Sequence, residues 1–421
     1  MGLMSIRTTF PLILTLLLLA AQARASGPPV RVDRRTVIQR AQEAGPGMLV
    51  ARAGKAASAR SREAADTLLS LPPRVELEVA RHAYPGGAGM DVVAALWQDL
   101  SLGGLGRAKH HVAAANVRAR ELELELARRQ AIHQGMLAWI DAIHARALLQ
   151  LRTQSVALAQ QMVTITGARV RAGAVPPVEL TLAASVLGSS RAALIDARGR
   201  MIDADANLRH ALGLEPDVAL EVVGDLRRSD DRRIDERKHI EWVQREHPLV
   251  KLALVQVQQA DARAELEASR GRPVLGVGVS YAREATGDRV LGAMVSVPLP
   301  VLNPAAFDAS LARGEAHVAN MRAREVGAAL AKEVRLALHA RTHARELRAA
   351  LQTGALTPGR EALGELIKRY EAGAVGLAET LSARRELLAV EEATLSTSAD
   401  VHRADADFAL LASPVLAEGL P

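Results

Sequence analysis

Ala172-Gly173-Ala174-Val175 recurs as Ala372-Gly373-Ala374-Val375, an offset of 200 residues. At the same offset Glu179 matches Glu379 and Pro73 matches Pro273, and Pro46 sits near the counterpart of Pro248. One tetrapeptide in Ala-rich sequence arises by chance. Several landmarks in nearly one register do not, so the chain reads as two homologous halves. Residues 26–225 form the first half and 238–412 the second. The charged stretch 226–237, RRSDDRRIDER from Arg227 to Arg237, reads as a solvated linker, and 413–421 as a tail.

Working outward from each tetrapeptide, the flanks have a helical period. From Arg107 to Arg171 there is no Pro, and Ile132, Met136, Trp139, Ile143 and Ala147 recur at helical spacing. At 1.5 Å per residue this predicts ~100 Å of helix, far beyond a globular helix. Gly173–Pro177 is a turn, and a return helix runs to about Leu212, giving a helical hairpin over 104–212. The second half repeats the plan over 305–412, with a break expected at Gly354–Gly359 around Pro358. Leu363, Leu366, Ile367 and Tyr370 follow at i, i+3, i+4 and i+7. After the turn at Gly373–Leu377, the residues Leu377, Leu381 and Leu388 mark the return.

Further out, each half opens with a helical segment, about Arg35–Ser70 and Glu236–Arg270, broken near Pro46 and Pro248. Between this segment and the long hairpin the period falls to two. Val75, Leu77 and Val79 alternate with Glu76 and Glu78, and Leu275, Val277, Val279 and Tyr281 with Gly276, Gly278 and Ser280. Turn signals at Tyr84-Pro85-Gly86-Gly87 and Thr286-Gly287-Asp288 lead into return runs at Val92–Leu100 and Val290–Val297. The strands are thus placed at about 74–100 and 274–298. Each has ~9 residues, the length a tilted strand needs to cross hydrocarbon.

Composition narrows the function. The absence of Cys excludes a disulfide scaffold, a thiolate zinc site and a Cys nucleophile. The excess of basic over acidic residues is small, 53 against 47, and only nine residues are aromatic, so stacking platforms for nucleic acid are absent. Residues 1–25 read as a signal peptide: Arg7, the apolar run Pro11–Ala21, and Ala23-Arg24-Ala25 before the cut. No later stretch holds 18 uninterrupted apolar residues. Entry into a membrane would then be as a barrel.

Four strands cannot close a barrel, and open sheet edges in lipid cost several kcal/mol per unsatisfied group. The strands must therefore be pooled between copies. Exported, barrel-forming, oligomeric and long, the chain reads as a conduit. From another class, a periplasmic coiled-coil adaptor with a small soluble β-domain would share many of these features.

Over residues 35–412 the sequence resembles the TolC-like outer-membrane efflux proteins. The resemblance rests on the duplicated plan and on Leu100-Ser101-Leu102-Gly103-Gly104 before the first long helix. Val297-Pro298-Leu299-Pro300-Val301-Leu302-Asn303 before the second and Arg369-Tyr370-Glu371-Ala372-Gly373 at the second helical turn complete it. It implies a mainly α fold with a small β part: long antiparallel helical hairpins in an α-barrel, and four strands per chain in a trimeric twelve-stranded transmembrane β-barrel. It implies a homotrimer in the outer membrane reaching into the periplasm, the exit duct of a tripartite pump, docked onto a periplasmic adaptor. The run at Pro298–Asn303 looks most like the cobalt–zinc–cadmium branch. That branch works with inner-membrane resistance–nodulation–division pumps and would carry divalent heavy-metal cations. Exit ducts for drug efflux or type I secretion are the alternatives within the family.

By this resemblance the adaptor-docking tips are Gly173, Val175, Gly373, Val375, Gly376 and Leu377, residues that any helical turn would also need. Arg169, Arg171, Glu179, Arg369, Glu371 and Glu379 cluster near the tips and are candidates for ion pairs that hold the periplasmic end shut, although exposed pairs of this kind are common. His339 and His343 lie at i, i+4, but the zincin Glu is missing and Arg341 and Arg345 would repel a cation, so no metal is expected. Gly103-Gly104-Leu105-Gly106 lacks the Lys-Ser/Thr ending of a P-loop and reads as a strand-to-helix corner. No catalytic constellation stands out, and no cofactor, nucleic acid or enzymatic activity is expected.

Overall fold

The computed structural model describes residues 28–65, 71–227, 234–298 and 305–412. The expected signal peptide, the middle of the charged linker, Leu299–Asn303 and the expected tail lie outside these residues. The described chain falls into two compact units that interleave along the sequence. One comprises the residues up to Met48, Ala127–Glu241 and those from Lys332 onward; the other comprises Leu49–Leu126 and Trp242–Ala331. Each draws on both halves of the sequence.

In chain order the elements begin with β1 (Val30–Val32), α1 (Arg34–Ala44), α2 (Met48–Ala65), β2 (Arg74–Tyr84) and β3 (Gly87–Ser101). There follow α3 (Leu105–Arg171), α4 (Pro177–Ala211) and β4 (Leu220–Val222). The second half contributes α5 (Glu236–Glu246), α6 (Pro248–Arg270), β5 (Val274–Arg283), β6 (Arg289–Ser296), α7 (Ala305–Leu351), α8 (Thr357–Glu371) and α9 (Leu377–Ala412).

The prolines do what their missing N–H dictates. Pro177 and Pro248 each stand in the first turn of a helix, where that N–H has no partner to lose. Asp33 opens α1 by accepting the Thr36 N–H at 2.9 Å, and that bond holds the Asp33 carboxyl below the usual carboxylate range. Around Pro358 the regular α-helix is interrupted near the expected place, between α7 and α8, but the chain does not leave the helix. The helix instead widens into a π-turn at Gln352–Leu356, in which the Thr357 N–H bonds the Gln352 carbonyl, so the ring fits without ending the helix. The linker expected over 226–237 is also shorter, because Glu236 and Arg237 already belong to α5.

In the first unit, one face of α3 supplies Ile132, Met136, Ile140 and Ile143. These pack with Leu208 of α4 and Leu212 at its end, with Val32 and Val37, and with Ala399, Ala406 and Ala409 of α9. Alanines at the contact let the helices approach closely. The pairing of β1 with β4 was not foreseen: these two parallel three-residue strands carry Val32 and Val222 into the cluster. By length and composition alone α4 could cross a membrane. It owes this to Ala, Leu and Val, and it buries Ala183, Leu187, Ser190, Ala197 and Leu208 as a hairpin seam.

In the second unit, β2, β3, β5 and β6 form one antiparallel sheet in that order. The first hairpin turns through Pro85-Gly86, with Tyr84 opposite Gly87, and β3 runs longer than the expected return. Joining the two hairpins, β3 pairs β5 from Val92↔Arg283 to Ser101↔Val274. Among the described residues, β2 and β6 are each paired on one side only.

Candidate functional site

The register sorts the sheet into two faces. On one, Val75, Leu77 and Val79 lie beside Leu96, Ala94 and Val92; these lie beside Val279, Tyr281 and Arg283, and next come Ala293, Leu291 and Arg289. Val75 is 76% exposed, Leu77 70%, Leu291 82% and Val295 71%. The opposite face is mostly polar and small, with Val93, Trp97, Val290 and Met294 among it. There the Trp97 Nε1–H donates to Glu76 at 3.0 Å, Arg74 and Asp99 pair at 3.3 Å, and His82 and Asp91 lie 3.0 Å apart. Gly276, Gly278 and Ser280 continue that face across β5. An apolar face of four strands left bare on one chain is the pattern of a sheet solvated by lipid on one side and water on the other.

The turns of the two helical hairpins are built alike. In the first, the Gly173 N–H donates to Val170 at 3.0 Å and the Ala174 N–H to Arg169 at 2.9 Å. In the second, the Gly373 N–H donates to Tyr370 at 3.0 Å and the Ala374 N–H to Arg369 at 2.8 Å. This is the Schellman closure, and it needs positive φ: Gly173 has 71° and Gly373 has 79°. Gly173, Gly373 and Gly376 are exposed at the tips, with Val175 and Val375 half-buried. Leu377 departs from the expectation of a presented docking residue. It is 2% exposed and packs with Met162, Ala183 and Tyr370, because the first turn of α9 points it inward.

The charged candidates are also arranged differently from the simple expectation. Arg169 donates from Nη1 to the Tyr370 carbonyl at 2.8 Å and lies 4.5 Å from the centre of the Tyr370 ring, a cation–π contact. Arg369 pairs with Glu365 at 3.2 Å, one turn back on its own helix. Glu179 stands 3.5 Å from the Tyr370 hydroxyl. Among the described residues, Arg169, Arg171, Glu179, Arg369, Glu371 and Glu379 form no ion pair with one another.

Tyr370 is the centre of this end. It is fully buried, and its hydroxyl lies 2.9 Å from Thr166 Oγ, which itself donates to the Met162 carbonyl at 2.8 Å. The tyrosine therefore ties α8 to α3 and α4. Its place in an apolar helical spacing was legible, but its bond to Thr166, 204 residues away, had no sequence signal. Arg384 of α9 was missed as well. It is 8% exposed and donates to the Ser155 carbonyl at 2.8 Å and to the Ser190 hydroxyl at 3.2 Å. Burial pushes its pKa down.

His339 and His343 stack with ring centres 6.3 Å apart. The arginines expected to repel a cation there point away, since Arg341 and Arg345 both pair with buried Asp405, at 2.5 and 3.1 Å. Among the described residues, no three His, Asp or Glu side chains stand close enough to hold a metal. At the corner after β3, the Gly103 carbonyl accepts from Arg272 at 2.7 Å and α3 begins at Leu105, so the glycine run serves the backbone path.

A family model described as "Outer membrane efflux protein" matches residues 37–214. Protein CyaE of Bordetella pertussis is 24% identical over 269 residues, 61% of this chain and 56% of that protein, so the chain spans little more than half of that relative. The CmeC outer membrane channel of Campylobacter jejuni superposes with a TM-score of 0.77 at 16% identity, covering 92% of this chain and 90% of the other. CusC, described in terms of folding and transmembrane channel formation, gives 0.75 at 17% identity over 90% and 92%. The chain has the fold of these channels.

Proposed function

We propose that the chain, whose residues 37–214 match the outer membrane efflux protein model, is one of three identical subunits of an exit duct in a tripartite efflux pump. Its place is the Gram-negative outer membrane, with the helical part extending into the periplasm. The carrying observation is the sheet: among the described residues it has four strands, two edges paired on one side only, one largely apolar face and one largely polar face. Eight strands are the fewest in a bacterial outer-membrane barrel, and three copies supply twelve. Pooling also gives partners to apolar side chains left bare elsewhere, such as Val178, Leu182, Ile195 and Ile202 on α4 and Phe307 and Leu311 on α7.

In this reading the polar sheet face lines a water-filled lumen, and transport needs no catalytic group. The tips, with Gly173, Val175, Gly373, Val375 and Gly376 around the two turns, are the surface for a periplasmic adaptor coupled to an inner-membrane pump. Leu377 supports that surface from below. The gate is the buried Tyr370 knot, with the exposed charges Arg171, Glu371 and Glu379 left for pairing between subunits.

Divalent heavy-metal cations are the proposed cargo, on the resemblance of Pro298-Leu299-Pro300-Val301-Leu302-Asn303 to the cobalt–zinc–cadmium branch. Deleting the gene and measuring tolerance to zinc, cobalt and cadmium beside a panel of antibiotics tests this. Loss of metal tolerance is the expected result. Sensitivity to antibiotics alone would transfer the duct to drug efflux.

A further inference from the structure

We propose that Arg81, Arg283 and Arg289 form a rim that binds the phosphate groups of the outer-leaflet glycolipid. The inference rests on the outer-membrane reading above. On the side of the hairpin turns, three of the four strands carry an arginine in their apolar row. Arg81 follows Val79 on β2, Arg283 follows Tyr281 on β5, and Arg289 precedes Leu291 on β6. All three stand on the bare apolar face rather than on the polar one.

Two features make this more than scattered charge. Arg283 and Arg289 are direct cross-strand partners, and like charges placed opposite each other weaken a sheet. Nothing in the chain offsets the cost: among the described residues none of the three arginines makes an ion pair. Of the nearby carboxylates, Asp91 is engaged by the Ala285 N–H at 2.6 Å and by His82, Asp288 by the Thr286 hydroxyl at 2.9 Å, and Glu284, next in sequence to Arg283, makes no ion pair among the described residues. A local rule broken at one place, with no partner inside the chain, points to a partner outside it.

The position selects that partner. From Leu275 to Arg283 the strand is roughly 26 Å long at 3.3 Å per residue, which at a tilt of ~35–45° covers about 20 Å of the ~25 Å height of the apolar band of outer-membrane barrels and brings its end near the interface. An arginine on the lipid face is costly at the midplane and nearly free at the interface, so these three mark the headgroup level. Tyr281, one step inside Arg283 on the same face, is the residue type enriched there. A guanidinium at that level meets phosphate in a forked geometry that lysine does not reproduce.

The test uses the full-length protein purified in detergent, with bound lipid counted by native mass spectrometry. The probes are lipid A bearing its phosphates, dephosphorylated lipid A, and inorganic phosphate as a competitor. At roughly fivefold per arginine, the phosphorylated form should bind at least tenfold tighter than the dephosphorylated one. Arg81→Gln, Arg283→Gln and Arg289→Gln combined should abolish that preference. The triple Lys variant should retain part of it, which separates loss of charge from loss of fold. Equal binding of both lipids, unchanged binding in the Gln variant, or displacement of the lipid by millimolar inorganic phosphate would overturn the rim. The same spectra report the oligomer: a trimer that lacks the preference sinks the rim alone, whereas a wild-type monomer sinks the duct and the rim together.

Discussion

The two tips and the four-stranded sheet solve the same problem, a chain that must turn back on itself, in opposite ways. At the tips the backbone turn and the packing beneath it are completed within one chain. The Schellman bonds satisfy the last carbonyls of each helix, Leu377 fills the space beneath, and Tyr370 bonds Thr166 in full burial. Among the described residues the sheet satisfies only its inner ladders and leaves two edges and one apolar face bare. The difference separates a part of the molecule that folding alone completes from a part that, on the proposed reading, assembly and lipid complete.

The contrast can be broken most severely at Tyr370. Replacing it with Ala empties a fully buried site and should cost about 3–5 kcal/mol, read as a lower unfolding midpoint of the helical part. In reconstituted bilayers the same variant should raise conductance at the periplasmic end. Tyr370→Phe keeps the ring and loses only the hydroxyl contact, which should cost about 1–2 kcal/mol. A Tyr370→Ala protein as stable as wild type would show that the tip is not self-contained.

On the other side of the comparison, Leu77→Arg places a charge in the middle of the bare face, opposite Ala94. At midplane depth the cost is about 2–4 kcal/mol per subunit, so heat-modifiable oligomers in outer-membrane fractions should fall sharply. Ala374→Arg, an exposed tip position, should leave the oligomers intact and weaken only adaptor binding. Equal effects of the two charges would erase the distinction drawn here.

Gly373→Ala is smaller. The space around a Cβ there is open, with only an Arg169 guanidinium nitrogen at 3.6 Å, so the penalty is the left-handed backbone alone, about 1–2 kcal/mol. Gly173→Ala, where nothing lies within 4 Å, should match it within a few tenths of a kcal/mol if the two closures are equivalent.

The smallest effect concerns pH. Burial pushes the His402 pKa down, against the weaker opposing effect of the Leu226 carbonyl that its ring faces at 3.1 Å, and burial likewise lowers His144. Below the ordinary histidine pKa of ~6.5 the unfolded chain then binds more protons than the folded one, so stability falls as pH falls. Melting curves at pH 7.5 and 5.5 should show this loss, and His402→Gln should flatten it.

Much of this was legible because it is periodic. The repeated Ala-Gly-Ala-Val marked both tips, and alternation at Val75–Val79 and Leu275–Tyr281 placed the strands and the face each presents. Contacts between distant residues were not legible. Nothing near Thr166 announces Tyr370, and a three-residue strand such as Val30–Val32 is too short to show a period. Whether Leu377 faces out or in depends on how four helices pack, not on its neighbours in sequence. At Pro358 the rule that proline ends a helix lost to a π-turn, which accommodates the ring without breaking the helix.

The sheet is the claim on which the rest depends, and its most direct test is the mass of the full-length protein extracted from membranes in mild detergent, measured by light scattering or native mass spectrometry. Three copies per particle, resistant to dissociation until heated, is the predicted result. A single copy with its sheet edges unpaired and stable in detergent would contradict it.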